Sequence, residues 1–233
     1  MTDEKECFTR EQSATDQSAT KQSTIENSTL AKIHSAAMLE FQKKGFQRAS
    51  LRNIVKAAGV TTGAFYGYYN SKEELFDALV GEQAKYVLQL FDTTLEDFEK
   101  LPGETQTRQM TEISSDAISG MIDYVYDNYD VFKLIILHAE GTKYSDFVHQ
   151  LVIKETESTF AYIDTLKQMG YSVEPINKNL IHIVASGLFS GIFETIVHDM
   201  PKEEAQEYIR QLQRFCAAGW EEFLGIKFGE KEI

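Results

Sequence analysis

The sequence predicts an all-α protein, a small three-helix unit followed by a larger helical domain, and three observations predict it. Apolar residues recur at intervals of three and four along most of the 233 residues. No segment of strand length alternates polar with apolar side chains. Only Pro102, Pro175 and Pro201 interrupt the chain, so long stretches are free of the residue that removes a helical backbone donor. A composition 42% hydrophobic and 12% aromatic supplies enough apolar surface for a core.

The elements follow in order. Residues 11–25 read EQSAT, DQSAT, KQSTI, a polar five-residue repeat with little to bury, so residues 1–27 are expected to form a flexible arm. Asn27 and Ser28 are helix-capping residues, and Leu30, Ile33, Ala37 and Phe41 follow at helical spacing until Gly45 closes the segment. Ser50 caps a short second helix that buries Leu51, Ile54, Val55 and Ala58, and Gly59 ends it. A third short helix spans 61–69. Ser71, Lys72, Glu73 and Glu74 form a capping box that opens a fourth helix, with Leu75, Phe76, Leu79, Tyr86, Val87 and Leu90 on its buried face, reaching about Phe98. After Pro102-Gly103, further helices are expected at 107–127, 129–139, 144–169, 175–199 and 202–225. The domains are read as 28–74 and 75–233. The apolar run Leu180–Val197 carries His182 and Glu194 and reads as a buried helix, with no membrane partner.

Charge is segregated. The net charge is −13, yet residues 28–72 hold seven Lys or Arg and one acid, a net of +6, against −3 before them and −16 after. A short basic module on an acidic body is the footprint of a phosphate partner. Cys7 and Cys216 stand at opposite ends, which offers no disulfide framework and no metal-ligand spacing, and the polar first residues do not form a signal peptide. A reducing cytoplasm is expected, with no metal and no cofactor. The five histidines form no HExxH, and no GxSxG, P-loop or paired-cysteine motif occurs, so an enzyme is not expected.

The informative stretch is 50–72. Two short helices meet at Ala58-Gly59-Val60, a tight turn that a glycine makes accessible. In such a helix-turn-helix the second helix enters the major groove of double-stranded DNA with its first residues nearest the bases. Here those are Thr61, Thr62, Gly63 and Ala64, small enough for close backbone approach. Phe65 and Tyr69 share a face suited to the core, while Tyr66 and Tyr68 are placed to offer hydroxyls to phosphate. Lys72, at the start of the fourth helix, adds a positive charge at a natural phosphate position.

The pattern Gly59-Val60-x-x-Gly63-x-Phe65-Tyr66-x-Tyr68-Tyr69-x-Ser71-Lys72-x-x-Leu75, preceded by Phe41, Gly45-Phe46, Ser50-Leu51, Ile54-Val55 and Ala58, resembles the TetR (tetracycline-repressor-like) family over about residues 28–80. Tyr69 stands where that family usually has phenylalanine, and Tyr68 where it has histidine or tyrosine. The resemblance implies a homodimeric, ligand-inducible repressor on a palindromic operator. It further implies that Ser50, Arg52, Thr61, Thr62, Gly63, Ala64, Tyr66, Tyr68 and Lys72 contact DNA.

Past residue 80 the resemblance reduces to length and helical character. The last two helices are expected to pair across a dimer. Gly187 and Gly191 lie four apart on one of them, and Phe215 and Trp220 lie on the other. A small-molecule effector is expected among Tyr124, Phe132, His138, Tyr144, Phe147, Phe160, Tyr162 and Phe189, an aromatic set with a few polar groups. The alternative is a DNA-binding architectural protein with no effector, and only ligand-dependent release separates the two.

Overall fold

The computed structural model describes residues 28–229. The polar arm at 1–27 and Cys7 lie outside them. Every regular element among the described residues is a helix: α1 (28–48), α2 (Leu51–Ala58), α3 (Thr62–Tyr66), α4 (Lys72–Glu99), α5 (Gly103–Asp127), α6 (Tyr129–His138), α7 (Phe147–Gln168), α8 (Lys178–Val197) and α9 (Lys202–Leu224).

Departures from the expected bounds have local causes. Gly45 takes φ 71° but stands inside α1, so one more turn carries Phe46 before the helix ends. α7 starts three residues late because the hydroxyls of Thr142 and Ser145 bond to nearby backbone: Thr142 Oγ1 donates to the Ala139 carbonyl at 2.7 Å, and Ser145 Oγ to that of Thr142 at 2.8 Å. Such bonds offer the chain an alternative to helix. α8 begins beyond Pro175, where the Asn177 side chain accepts from the Asn179 amide at 2.9 Å and caps the first turn.

Two compact units divide at Leu79 and Val80. In the first, Ile33, Ala37, Phe41, Ile54, Phe65, Leu75 and Phe76 are buried. Phe41 and Phe46 each meet Phe76 edge to face, with ring centres 5.1 and 5.3 Å apart, a geometry that aligns ring edge with ring face. The single helix α4 gives its first turns to this unit and the remainder to the second.

In the second unit α8 packs on α6, α7 and α9, while α5 packs on α9. α8 is long and apolar enough to cross a bilayer by length and composition, but it buries Ile181, Ala185, Phe189, Ile192, Phe193 and Ile196 in the protein, as a core helix does. Phe147 links Phe132 to Phe193, with ring centres 6.1 and 5.9 Å away. A second cluster gathers Phe98, Tyr162, Leu166, Ile181 and Leu224.

Two residues expected at a dimer contact have neighbours within the protomer as well. A Cβ at Gly191 would stand 2.9 Å from Leu212 Cδ2 of α9, so this glycine lets α8 and α9 of one chain approach. Trp220 is half-buried against the second cluster. Helical spacing identified both as contact residues without telling which neighbour they meet. Gly191→Leu should therefore lower the unfolding free energy by about 1–3 kcal/mol through overpacking. Gly120→Ala, on an exposed stretch of α5 where a Cβ meets nothing within 4 Å, should raise it by about 0.5–1 kcal/mol. Chemical denaturation of the two variants checks both signs.

Candidate functional site

The turn between α2 and α3 is built by the backbone. Gly59 takes φ 66°, its amide bonds to the Lys56 carbonyl, and the Val60 amide reaches the Val55 carbonyl at 3.2 Å. This paired closure satisfies carbonyls that the end of α2 leaves open, and the left-handed residue it requires favours glycine. Thr61 then caps α3, its Oγ1 accepting from the Ala64 amide at 3.1 Å. Phe65 is fully buried and Tyr69 nearly so, and the Tyr69 hydroxyl shares a hydrogen bond with Nε2 of His34 on α1. Burial pushes the His34 imidazole below its usual range and the Tyr69 phenol above it, so both are neutral at that contact.

These contacts leave one face of α3 outside. Thr62, Gly63 and Tyr66 are exposed, Tyr66 to 53%, while Ala64 and Tyr68 are half-buried. A Cβ at Gly63 would have only Thr61 Oγ1 within 4 Å, so the helix start is open to close approach. Arg52 and Lys56 on α2, with Lys32, Lys43 and Arg48 on α1, are exposed cations of the same unit.

Three residues act differently from their sequence reading. Ser50 holds the cap position of α2, but its hydroxyl makes no capping bond. Glu40, the lone acid of the basic module, ties this corner instead. Its Oε1 accepts from the Ser50 amide at 3.1 Å, Asn53 Nδ2 at 3.2 Å and Lys44 Nζ at 2.7 Å. The Lys44 ammonium, with these donors, holds the Glu40 carboxyl below its usual range. The signal was available, since a single acid among seven bases invites the question of what it binds. Lys72 is the third. Its ammonium donates to the carbonyls of Phe46, Gln47 and Ala49 at 2.7, 3.2 and 3.2 Å and lies 4.4 Å from the Phe46 ring centre. All three ammonium donors thus meet carbonyls at the end of α1, and Lys72 is first a fastening of α1 to α4. Half of the expected capping box forms beside it, the Glu74 amide donating to Ser71 Oγ at 3.0 Å, while Glu74 Oε2 accepts from the Asn70 amide, one residue further out, at 2.7 Å.

The second unit contains a cavity of about 610 Å³ walled by α4, α5, α7, α8 and α9. Of the aromatic residues expected there, Tyr162 and Phe189 line it. The other six do not. Phe132 and Phe147 fill the core, Tyr124 stacks on Tyr86 at 4.0 Å, and Phe160 lies at the edge of the second cluster under Lys178. His138 ends α6, where burial lowers its pKa, and Tyr144 lies in the turn before α7 beneath Lys143. Periodicity finds apolar faces but not the voids between them. The lining that it missed includes Phe91, Phe98, Trp220 and Glu155. The Glu155 carbonyl accepts from Thr159 Oγ1 at 2.8 Å, but its carboxylate makes no ion pair and no hydrogen bond among the described residues, and desolvation lifts that carboxyl to about 7. Lys154 beside it is engaged by Asp92 of α4.

A helix-turn-helix with an exposed second helix and exposed cations in the same unit, joined to a separate helical domain, defines a DNA-binding transcriptional regulator. Residues 33–79 match the family described as bacterial regulatory proteins, tetR family. The HTH-type transcriptional regulator YdgC of Bacillus subtilis (strain 168) is 26% identical over 165 residues, which cover 69% of this chain and 82% of the relative. The HTH-type transcriptional regulator TtgR of Pseudomonas putida is 46% identical over 50 residues, 22% of this chain and 24% of its own length. The fold is similar to that of the TetR family regulator PfmR from Thermus thermophilus, at 17% identity and a TM-score of 0.53, covering 79% of this chain and 96% of that one. Residues 33–79 thus carry the region described for tetR-family regulators, and the chain is similar to an HTH-type transcriptional regulator well beyond it.

Lys72→Ala would leave three carbonyls without their donor, at a cost of about 1–3 kcal/mol if they stay dry. Lys72→Arg should recover part of it. A Lys72→Ala protein as stable to denaturant as the parent would show that the fastening has no energetic weight.

Proposed function

We propose that the protein is a homodimeric repressor that holds a palindromic DNA operator through α3 and releases it when a small molecule fills the cavity of the second unit. The exposed start of α3 carries this reading. Thr62, Gly63 and Ala64 read base edges, and Thr61 keeps its O–H donor and methyl for the groove while its lone pair caps the helix. Ser50, whose hydroxyl makes no capping bond, joins Arg52, Tyr66 and Tyr68 on the phosphates. Lys72 adds its charge to that set from its place at the end of α1. The work is done in the cytoplasm, where the DNA is.

Dimerisation is supported by two exposed stripes. Ile183, Gly187, Ser190, Glu194 and Val197 form one along α8, and Tyr208, Gln211, Phe215, Gly219 and Phe223 form the other along α9. Ile183 is 64% exposed and Phe215 78%, more than a solitary soluble helix face ordinarily leaves to water. A second copy laid on both stripes covers them, and Gly187, where a Cβ meets nothing within 4 Å, leaves room for it. Effector binding is supported by the cavity, whose size falls in the range of roughly 300–1,000 Å³ usual for small-molecule sites. That cavity favours the repressor over the architectural alternative.

Three outcomes are expected. On DNA from upstream of its own gene, binding should weaken steeply as salt rises, as counterion release requires. Tyr66→Phe should weaken binding to every sequence alike, whereas Thr62→Ala should change which base variants are preferred, by about 1–3 kcal/mol at the affected position. Phe215→Glu should shift the protein toward monomer in light scattering and lower DNA affinity with it. A fully dimeric Phe215→Glu protein would move the interface away from α9.

A further inference from the structure

We propose that the cavity of the second unit selects lipophilic organic cations, with the Glu155 carboxylate as the counter-charge. This rests on reading the cavity as the effector site. Its lining is mainly apolar and aromatic, and includes Phe91, Phe98, Tyr162, Phe189 and Trp220. Aromatic faces attract cations and repel anions through the ring quadrupole. The Glu155 carboxylate stands in this lining with no ion pair and no hydrogen bond among the described residues. An unpaired carboxylate in such a place costs several kcal/mol or takes up a proton, and a ligand that brings the missing positive charge removes the cost.

The other ionisable groups of the lining do not supply that charge. Arg210 pairs with Glu207, Glu221 pairs with Lys227, and both arginines of the lining, Arg210 and Arg214, are exposed on α9. Neither holds the Glu155 carboxyl down, since desolvation is the one influence on it. The Tyr162 hydroxyl donates to Thr107 Oγ1 at 3.0 Å, and burial keeps that phenol and the Cys216 thiol protonated. α4, α5 and α8 contribute no ionisable side chain to the lining, and the Lys154–Asp92 pair beside it is closed on itself. An amphipathic anion would therefore have to bring its charge to exposed arginines while its body displaced nothing unfavourable. A cation would meet the one carboxylate of the lining that has no ion pair.

With the carboxyl near 7, the ionised form rises from about a tenth at pH 6 to about nine tenths at pH 8, so a permanent cation should bind about tenfold more tightly over that interval. The probe is tetraphenylphosphonium, titrated calorimetrically into the full chain at pH 6, 7 and 8. Triphenylphosphine oxide serves as the neutral comparison and tetraphenylborate as the anionic one. The expected result is a tenfold gain for the cation with rising pH, which Glu155→Gln abolishes together with at least tenfold of the affinity at pH 8. The neutral probe should respond to neither. A cation affinity that is flat with pH or indifferent to Glu155→Gln overturns the proposal, as does tighter binding of tetraphenylborate. The variant removes a desolvated ionisable group and keeps the side-chain shape, so it should fold at least as well as the parent. DNA release, followed in parallel, separates the two readings. Release by the neutral or anionic probe with no cation binding overturns the cation proposal and keeps the effector site. Cation binding with the expected pH profile and no release supports the cation site and removes its role as effector.

Discussion

Everything in the first unit depends on holding a five-residue helix in place. A segment as short as α3 does not persist in water, because nucleating a helix costs more than so few hydrogen bonds return. It exists here because Phe65 is fully buried, because Tyr69 is tied to His34, and because Gly59 and Thr61 close the turn that leads into it. The residues that do this holding are apolar or inward. Those that remain outside, Thr62, Gly63 and Tyr66, are thereby free of structural duty and available to a partner. The division of labour within one short helix is what turns a fold into a reading head.

The same economy governs the charges. Of the seven bases in residues 28–72, Lys44 is engaged by Glu40 and Lys72 by the carbonyls at the end of α1, and both fasten the unit. Five are exposed and lie on α1 and α2. The net of +6 therefore overstates the charge available to phosphate and understates how rigidly the available part is mounted. Glu40, already counted in that total, neutralises Lys44 and fixes the start of α2, where Ser50 and Arg52 stand. An acid in a phosphate-facing module is tolerable when its carboxylate is consumed internally, as this one is by three donors.

Much of this was legible in the sequence because the signals were local. The turn at Gly59, the capping serine at Ser71 and the burial of Phe65 and Tyr69 each follow from a residue's own conformational or apolar preference within a few positions. What was not legible required knowing the neighbour. Gly191 looks like any small residue on an apolar helix, and only the approach of Leu212 assigns it to the protomer. Trp220 and Phe215 share a helix, yet one faces the core cluster and the other water. The cavity was the hardest. Aromatic residues such as Phe132 and Phe147 fill space, whereas a void is defined by what fails to fill it, and Glu155 at its wall carries no sequence mark of its surroundings.

The central claim is that α3 and the start of α2 form the face that meets DNA. Hydrogen–deuterium exchange along the whole chain, with and without DNA from upstream of its own gene, tests it most directly. The account predicts slowed exchange at 50–56 and 61–68 on adding DNA, at a salt concentration where binding is saturated. Unchanged exchange through 61–68, with protection appearing on another surface of the chain, would contradict it.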